Sequence, residues 1–217
     1  MTTLTDALAD PRSSARLQAV MAAGTTPDPP DPADLEVLVA QCAVEPDFFV
    51  RDMLTWALTR HPADDVVARV LPELERPEPQ ARSQALHTLS KIGDPDAWPA
   101  VRPLLEDHDD EVLRAAWRTA VALVPDDERA SLARTLAVQL GIGDRERRLS
   151  LSRALVGLGE DTVGPVLAAA ADRGTEAVRE HVRETEHLLH DPGVASEYAL
   201  ERARREVALG RTRSVKG

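Results

Sequence analysis

EPQARSQALHTLSKIGDPDAWPAVRPLLED, residues 78–107, contains one full structural period of this chain. Counted from Arg82, the residues at offsets three, six, seven and ten are Ala85, Thr88, Leu89 and Ile92. Those offsets share one face of a helix. Gly93-Asp94-Pro95 then breaks the pattern, with Gly suited to a helix C-terminus and Asp to capping the next helix. A second apolar face resumes at Ala97, Val101 and Leu104. The segment therefore predicts a helical hairpin.

The same pattern recurs along the chain. Arg16, Arg51, Arg82, Arg114, Arg148 and Arg179 mark a shared register at intervals of 35, 31, 32, 34 and 31 residues. Three residues after each stands Ala19, Leu54, Ala85, Trp117, Leu151 or Val182, and six after stands Ala22, Ala57, Thr88, Ala120, Ala154 or Thr185. A small residue at a fixed offset suits close helix–helix approach. At offset ten the central repeats carry His61, Ile92, Val124 and Leu158. Second helices show Val66, Val70 and Leu74 in one repeat and Val163, Leu167 and Ala171 in another. Pro99 and Pro165 fit a first turn, whereas Pro72 and Pro103 sit deeper and predict bends. Periods in this range belong to stacked helical hairpins, and almost nothing alternates with the period of a strand.

The pattern resembles a HEAT repeat, of the short bacterial kind similar to that of phycobilin lyases. The resemblance is carried by Glu78-Pro79, Ala81-Arg82, Ala85-Leu86 and Ile92-Gly93-Asp94. Asp10-Pro11 with Ala15-Arg16, and Glu45-Pro46 with Val50-Arg51, also fit, while Val124-Pro125 departs from the expected Ile-Gly. It implies an all-α, right-handed superhelix of about six hairpins, forming one domain over residues 1–209. Residues 25–32, TTPDPPDP, interrupt the first hairpin and are expected as an extended loop. Residues 194–209 read as a capping helix whose apolar side begins at Tyr198 and Ala199, followed by a basic tail at 210–217. Architecture is what such a resemblance specifies, since these solenoids host unrelated functions.

Composition narrows the partners. A net charge of −11 argues against nucleic acid, whose binding depends on neutralising phosphates. No apolar run is long enough for a membrane span, and the first twenty residues have no hydrophobic signal core. The single cysteine, Cys42, permits no internal disulfide and fits a reducing cytoplasm. His181, Glu184, His187 and His190 are close in sequence, but no second motif completes a metal shell. The HEAT-based metal hydroxylases use His-Glu pairs, and no histidine here precedes a glutamate. Asp52, Arg51 and Trp56 resemble the residue types of HEAT-like alkylpurine glycosylases, yet Arg51 is a register residue and the chain is acidic. Gly141-Ile142-Gly143 is too short for a phosphate loop. The recurrent arginines are read as structural, each bonding carboxylates of an adjacent loop.

Both phenylalanines, one tryptophan and one methionine fall within residues 42–62 of a chain that is 3% aromatic. Val50, Leu54, Ala57 and Leu58 belong to the core register. Phe49, Met53 and Trp56 do not: at i, i+4 and i+7 they form a second stripe. Either the first repeat and its loop cover this stripe, or it meets a partner protein or a second copy of the chain. By analogy with the concave face of a HEAT solenoid, Trp98, Arg102, Arg69 and Arg134 are candidates for a groove that meets an acidic peptide. The alternative for Trp98 is packing against the next repeat. The expectation is a non-catalytic, cytoplasmic protein-binding scaffold or adaptor, with no cofactor and no metal. The alternative class is an enzyme using the concave surface, either nucleic-acid-modifying or a bilin lyase.

Overall fold

A computed structural model describes residues 3–25, 32–191 and 193. Its helices are α1 (Leu4–Leu8), α2 (Ser13–Thr25), α3 (Pro32–Val44), α4 (Phe48–Leu58), α5 (Ala63–Val70) and α6 (Pro79–Ile92). They continue as α7 (Trp98–Val101), α8 (Asp110–Leu123), α9 (Arg129–Ala137), α10 (Arg145–Gly157), α11 (Glu160–Arg173) and α12 (Glu176–Leu189). Among the described residues there is no strand. The chain is an α-solenoid: α2, α4, α6, α8, α10 and α12 stack in sequence as one layer, and α3, α5, α7, α9 and α11 form the other. Helix α1 closes the first hairpin by packing on α2 and α3. The expected capping helix at 194–209, the tail at 210–217 and most of the 25–32 loop lie outside the described residues.

Short polar caps start the first-layer helices. Asp47, Asp109, Asp144 and Thr175 each accept a backbone N–H in the first turn of α4, α8, α10 and α12. Gly93 ends α6 at φ 74°, a left-handed conformation that a side chain would strain. At the deep prolines, where bends were expected, the helices change form instead: after Val70 and Val101 the chain tightens into 3-10 turns at Leu71–Glu75 and Arg102–Glu106. Residues repeating every four, Ala97, Val101 and Leu105, are the buried ones there, so Leu105 takes the core place expected for the half-buried Leu104.

The core runs continuously through the stack. Val50, Leu54, Ala57 and Leu58 are buried, as are His61, Ile92, Val124 and Leu158. Counting from the caps corrects one register assignment. Arg51, Arg148 and Arg179 stand four residues after Asp47, Asp144 and Thr175, but the residue four after Asp109 is Leu113. Leu113 is buried in the register place, and Arg114 lies one position beyond it, paired with Glu146.

The register arginines do something more local than expected. Arg16 donates to the carbonyls of Asp10 and Pro11, Arg51 to those of Glu45 and Pro46, Arg82 to those of Arg76 and Pro77, and Arg179 to that of Gly174. Each thus satisfies the loop that enters its own helix, where carbonyls lack helical partners. Carboxylate bonding is added in three of them: Arg16 grips Glu45 through Nε (2.8 Å) and a terminal nitrogen (2.6 Å), Arg82 reaches Asp107 at 3.2 Å, and Arg179 meets Glu176 of its own helix at 3.1 Å. Among the described residues Arg51 has no such carboxylate, because the position matching Glu45 in the next repeat is Arg76.

The small residue of the register also has a second role. Thr88, Thr119 and Thr185 are buried at the same distance from their caps, and each reaches the neighbouring first-layer helix. Thr88 meets Thr55 at 3.4 Å, Thr119 donates to the carbonyl of Leu86 at 2.9 Å, and Thr185 meets Ser152 at 2.8 Å. A seam of hydroxyls therefore runs between adjacent repeats.

Candidate interaction surface

The corner between α3 and α4 carries the aromatic stretch. Glu45 is wholly buried, held by Arg16, by the side-chain amide of Gln41 at 2.8 Å and by the backbone N–H of Asp47 at 3.0 Å. Burial raises the Glu45 carboxyl pKa, but the bonds from Arg16, the Asp47 amide and Gln41 outweigh it and hold the group below its ordinary value. Gln80 of α6 ties the same corner by donating to the carbonyls of Cys42 and Glu45. Asp47 then accepts from the amides of Phe49 and Val50, which fixes where α4 begins and where its first-turn side chains point.

On this fixed corner Val44, Phe48 and Phe49 are 67%, 66% and 72% exposed. The two rings pack edge to face with centroids 5.8 Å apart, and the Arg51 guanidinium lies 5.9 Å from the Phe48 ring. Of the expected stripe, only Phe49 is in the open. Met53 and Trp56 are half-buried against the core, and Trp56 lies on α2, where a Cβ on Gly24 would overlap its ring. The first repeat therefore covers Trp56, and Phe48 takes the place beside Phe49. Phe48 was legible in the sequence. It occupies a first-turn position where the other repeats carry Ser13, Pro79, Asp110, Arg145 and Glu176.

The second candidate group is not a groove of open side chains. Trp98 is 4% exposed and belongs to the core, so it presents no face to a ligand. Arg102 is exposed, but its guanidinium sits 5.9 Å from the Trp98 ring and 3.5 Å from Glu128. Arg69 is bonded to Glu36 at 2.6 Å. Arg134 is exposed in the last turn of α9, next to an open hollow lined by Arg102, Pro103, Leu105, Glu106 and Thr135. Two of the three arginines thus already meet carboxylates of the chain itself.

Among the described residues, the histidines of α12, Cys42 and Ser152 are the groups whose types suggest chemistry. No three His, Cys, Asp or Glu side chains converge to hold a metal among the described residues. His181 is buried whereas Glu184 and His187 are exposed, which places them on different faces of α12. Burial, aided by the nearby Glu73 carboxylate, pushes the Cys42 thiol up to about 12, so it holds its proton. His181 Nε2 lies 3.0 Å from Ser152 Oγ, which has the look of a nucleophile and its base. The imidazole's other bonds exclude that reading. Nδ1 accepts from the Gly141 amide at 3.0 Å, so Nε2 carries the ring proton and donates to the Arg148 carbonyl at 3.0 Å. A protonated nitrogen cannot take the serine proton.

A family model for HEAT repeats matches residues 35–122 and 67–139. The chain is a HEAT-repeat protein. No curated protein matches this HEAT-repeat chain. Solved structures that resemble it in outline include the following two. One is an engineered protein, 18% identical over 94% of this chain and 96% of its own, with a TM-score of 0.46. The other is human deoxyhypusine hydroxylase in complex with glycerol, 19% identical over 95% and 93%, with a TM-score of 0.44. Neither likeness carries an argument about activity. Among the described residues, no helix of the HEAT-repeat chain is long and apolar enough to cross a membrane.

Proposed function

We propose that this HEAT-repeat chain is a non-catalytic, cytoplasmic scaffold that holds a partner peptide or helix on its surface, anchored at the α3–α4 corner. HEAT repeats generally mediate protein interactions, and the observation that carries the reading here is the exposure of Val44, Phe48 and Phe49 on a rigid turn. Each phenylalanine gains on the order of 1.5–3 kcal/mol when fully covered. Rigid aromatic anchors are also the side chains over which binding energy concentrates. A free, buried cysteine fits a reducing compartment. The arginines Arg69, Arg102 and Arg134 would contribute charge matching at the rim, worth less because two of them already have partners.

The test is affinity capture from the native host's lysate with three folded proteins: wild type, Phe48→Ser/Phe49→Ser, and Arg102→Glu/Arg134→Glu. A partner held by wild type and by the arginine variant but lost by the phenylalanine variant supports the anchor. Identical retained sets for all three would sink it. Sedimentation of wild type across a concentration series reads the other occupant, a second copy of the chain.

A further inference from the structure

Two repeats share a buried arrangement that neither the family nor the proposed function assigns. In α6, Gln84 donates to the Arg51 carbonyl (3.3 Å) and to Thr55 Oγ (3.0 Å), Thr55 meets Thr88, and Thr88 returns to the Gln84 carbonyl (3.1 Å). In α12, His181 bonds the Arg148 carbonyl (3.0 Å) and Ser152 Oγ (3.0 Å), Ser152 meets Thr185, and Thr185 returns to the His181 carbonyl (2.9 Å). Gln84 and His181 both stand six residues after their caps, Glu78 and Thr175. The second triad copies the first with a titratable group in place of an amide.

We propose that His181 is an acid-operated latch that holds α12 on α10 while its ring is neutral. The geometry leaves no room for a second ring proton. Nδ1 accepts from the Gly141 N–H, and that amide is held in place because Gly141 is at φ 77° and close to the backbone of α12, where a Cβ would come within 3.0 Å of Val178 N. Protonating Nδ1 sets two donors against each other inside a wholly buried site. Burial is the main influence lowering the His181 pKa. The charges acting on it are Arg148 of α10, which opposes protonation, and Glu184 of α12, which favours it; the Arg148 carbonyl also favours it by accepting a hydrogen bond. The α9–α10 loop brings the Gly141 backbone, and no charged group of α11 acts on the ring.

The sign follows from where the proton binds. In the open form the imidazole titrates near its ordinary value of about 6.5, while the closed form excludes the proton. The latch is therefore fully effective above about pH 6.5 and weakens as pH falls from there towards the lowered closed-state value. Between pH 7.5 and 5.5 the opening equilibrium of α12 rises about tenfold if the closed form takes up no proton. In a repeat stack one joint can open before the whole, because each repeat contacts only its neighbours. Opening uncovers Leu151, Leu155 and Val182, which are buried when α12 is docked.

Native-state amide exchange of the full chain tests this, using His181→Gln as a non-titrating variant that copies the Gln84 arrangement. Glutamine supplies both donations and offers a carbonyl oxygen to the Gly141 amide. After correction for intrinsic exchange, α12 amides of wild type should lose about tenfold in protection between pH 7.5 and 5.5, against less than about twofold in His181→Gln. An equal loss in both proteins, or none in wild type, overturns the latch. If the variant is already undocked at pH 7.5, the wild-type His181 ring is followed by NMR instead. A ring that titrates near 6.5 while α12 stays protected overturns the proposal, and one that stays neutral until α12 exchanges supports it.

Discussion

Arg16 and Arg51 provide a matched pair for measuring what a buried carboxylate adds to a repeat joint. Both donate to the two carbonyls five and six residues upstream, at 2.9 and 3.2 Å for Arg16 and 2.9 Å each for Arg51. Arg16 alone adds the two-pronged bond to Glu45. Replacing Arg51 by alanine removes hydrogen bonds whose acceptors can turn to water, at a cost of about 1 kcal/mol. Replacing Arg16 also strands a carboxylate with no exposure. Breaking a buried pair costs about 3–5 kcal/mol, and the lower end applies because the Arg16 side chain is still 9% exposed. We expect Arg16→Ala to cost about 3 kcal/mol and Arg51→Ala about 1. Urea unfolding followed by circular dichroism gives the two midpoints, and amide exchange in α2 and α4 shows whether the loss is local. The Glu45 carboxyl is depressed in the folded chain, so its contribution is present above the ordinary carboxylate value of about 4.3 and is lost as pH falls below it. The gap between the variants should therefore narrow in acid. Equal costs at neutral pH would refute the reasoning, since the shared carbonyl bonds would then account for everything.

Gly24→Ala should destabilise by about 1 kcal/mol despite alanine's better helix propensity, because its Cβ would displace the Trp56 ring. A red shift in tryptophan emission beside the lowered melting temperature would show the ring leaving α2. Cys42 should resist thiol reagents in the native chain and react at the rate of unfolding, since it is buried with its pKa pushed up to about 12. Fast labelling of the folded protein would contradict that packing.

The architecture was legible because helical stacking repeats its demands. Each hairpin needs an apolar face, a small residue at the closest approach and a break, and these recur at Ala85, Thr88 and Gly93 of the clearest repeat. The features that were not legible depend on geometry that spacing does not encode. Arg114 falls at a plausible interval, yet the cap at Asp109 starts α8 one residue differently relative to it, and Leu113 takes the inward place. Threonine at the close-approach position looks like a small residue, and its hydroxyl bridge is visible only once the neighbouring helix supplies Thr55, Leu86 or Ser152. Trp56 and Phe49 belong to one sequence stripe, but Trp56 lies against Gly24 of α2 while Phe49 stays in the open, a difference that spacing does not encode. Trp98 has the spacing of an outer face and the surroundings of the core.

The substitution that puts Arg76 where Glu45 stands one repeat earlier makes successive joints chemically unlike. Between the first two repeats, and between the third and fourth, guanidinium meets carboxylate through Arg16–Glu45 and Arg82–Asp107. Between the second and third, neutral amides do the tying, Gln80 to the carbonyls of Cys42 and Glu45 and Gln84 to that of Arg51. At the last described joint the tie is an imidazole. Acid, which removes a carboxylate's charge and spares neutral amides, therefore acts on some joints and passes over others. The stack is segmented in its response to solvent, so the joints differ in what loosens them while the apolar spine is shared.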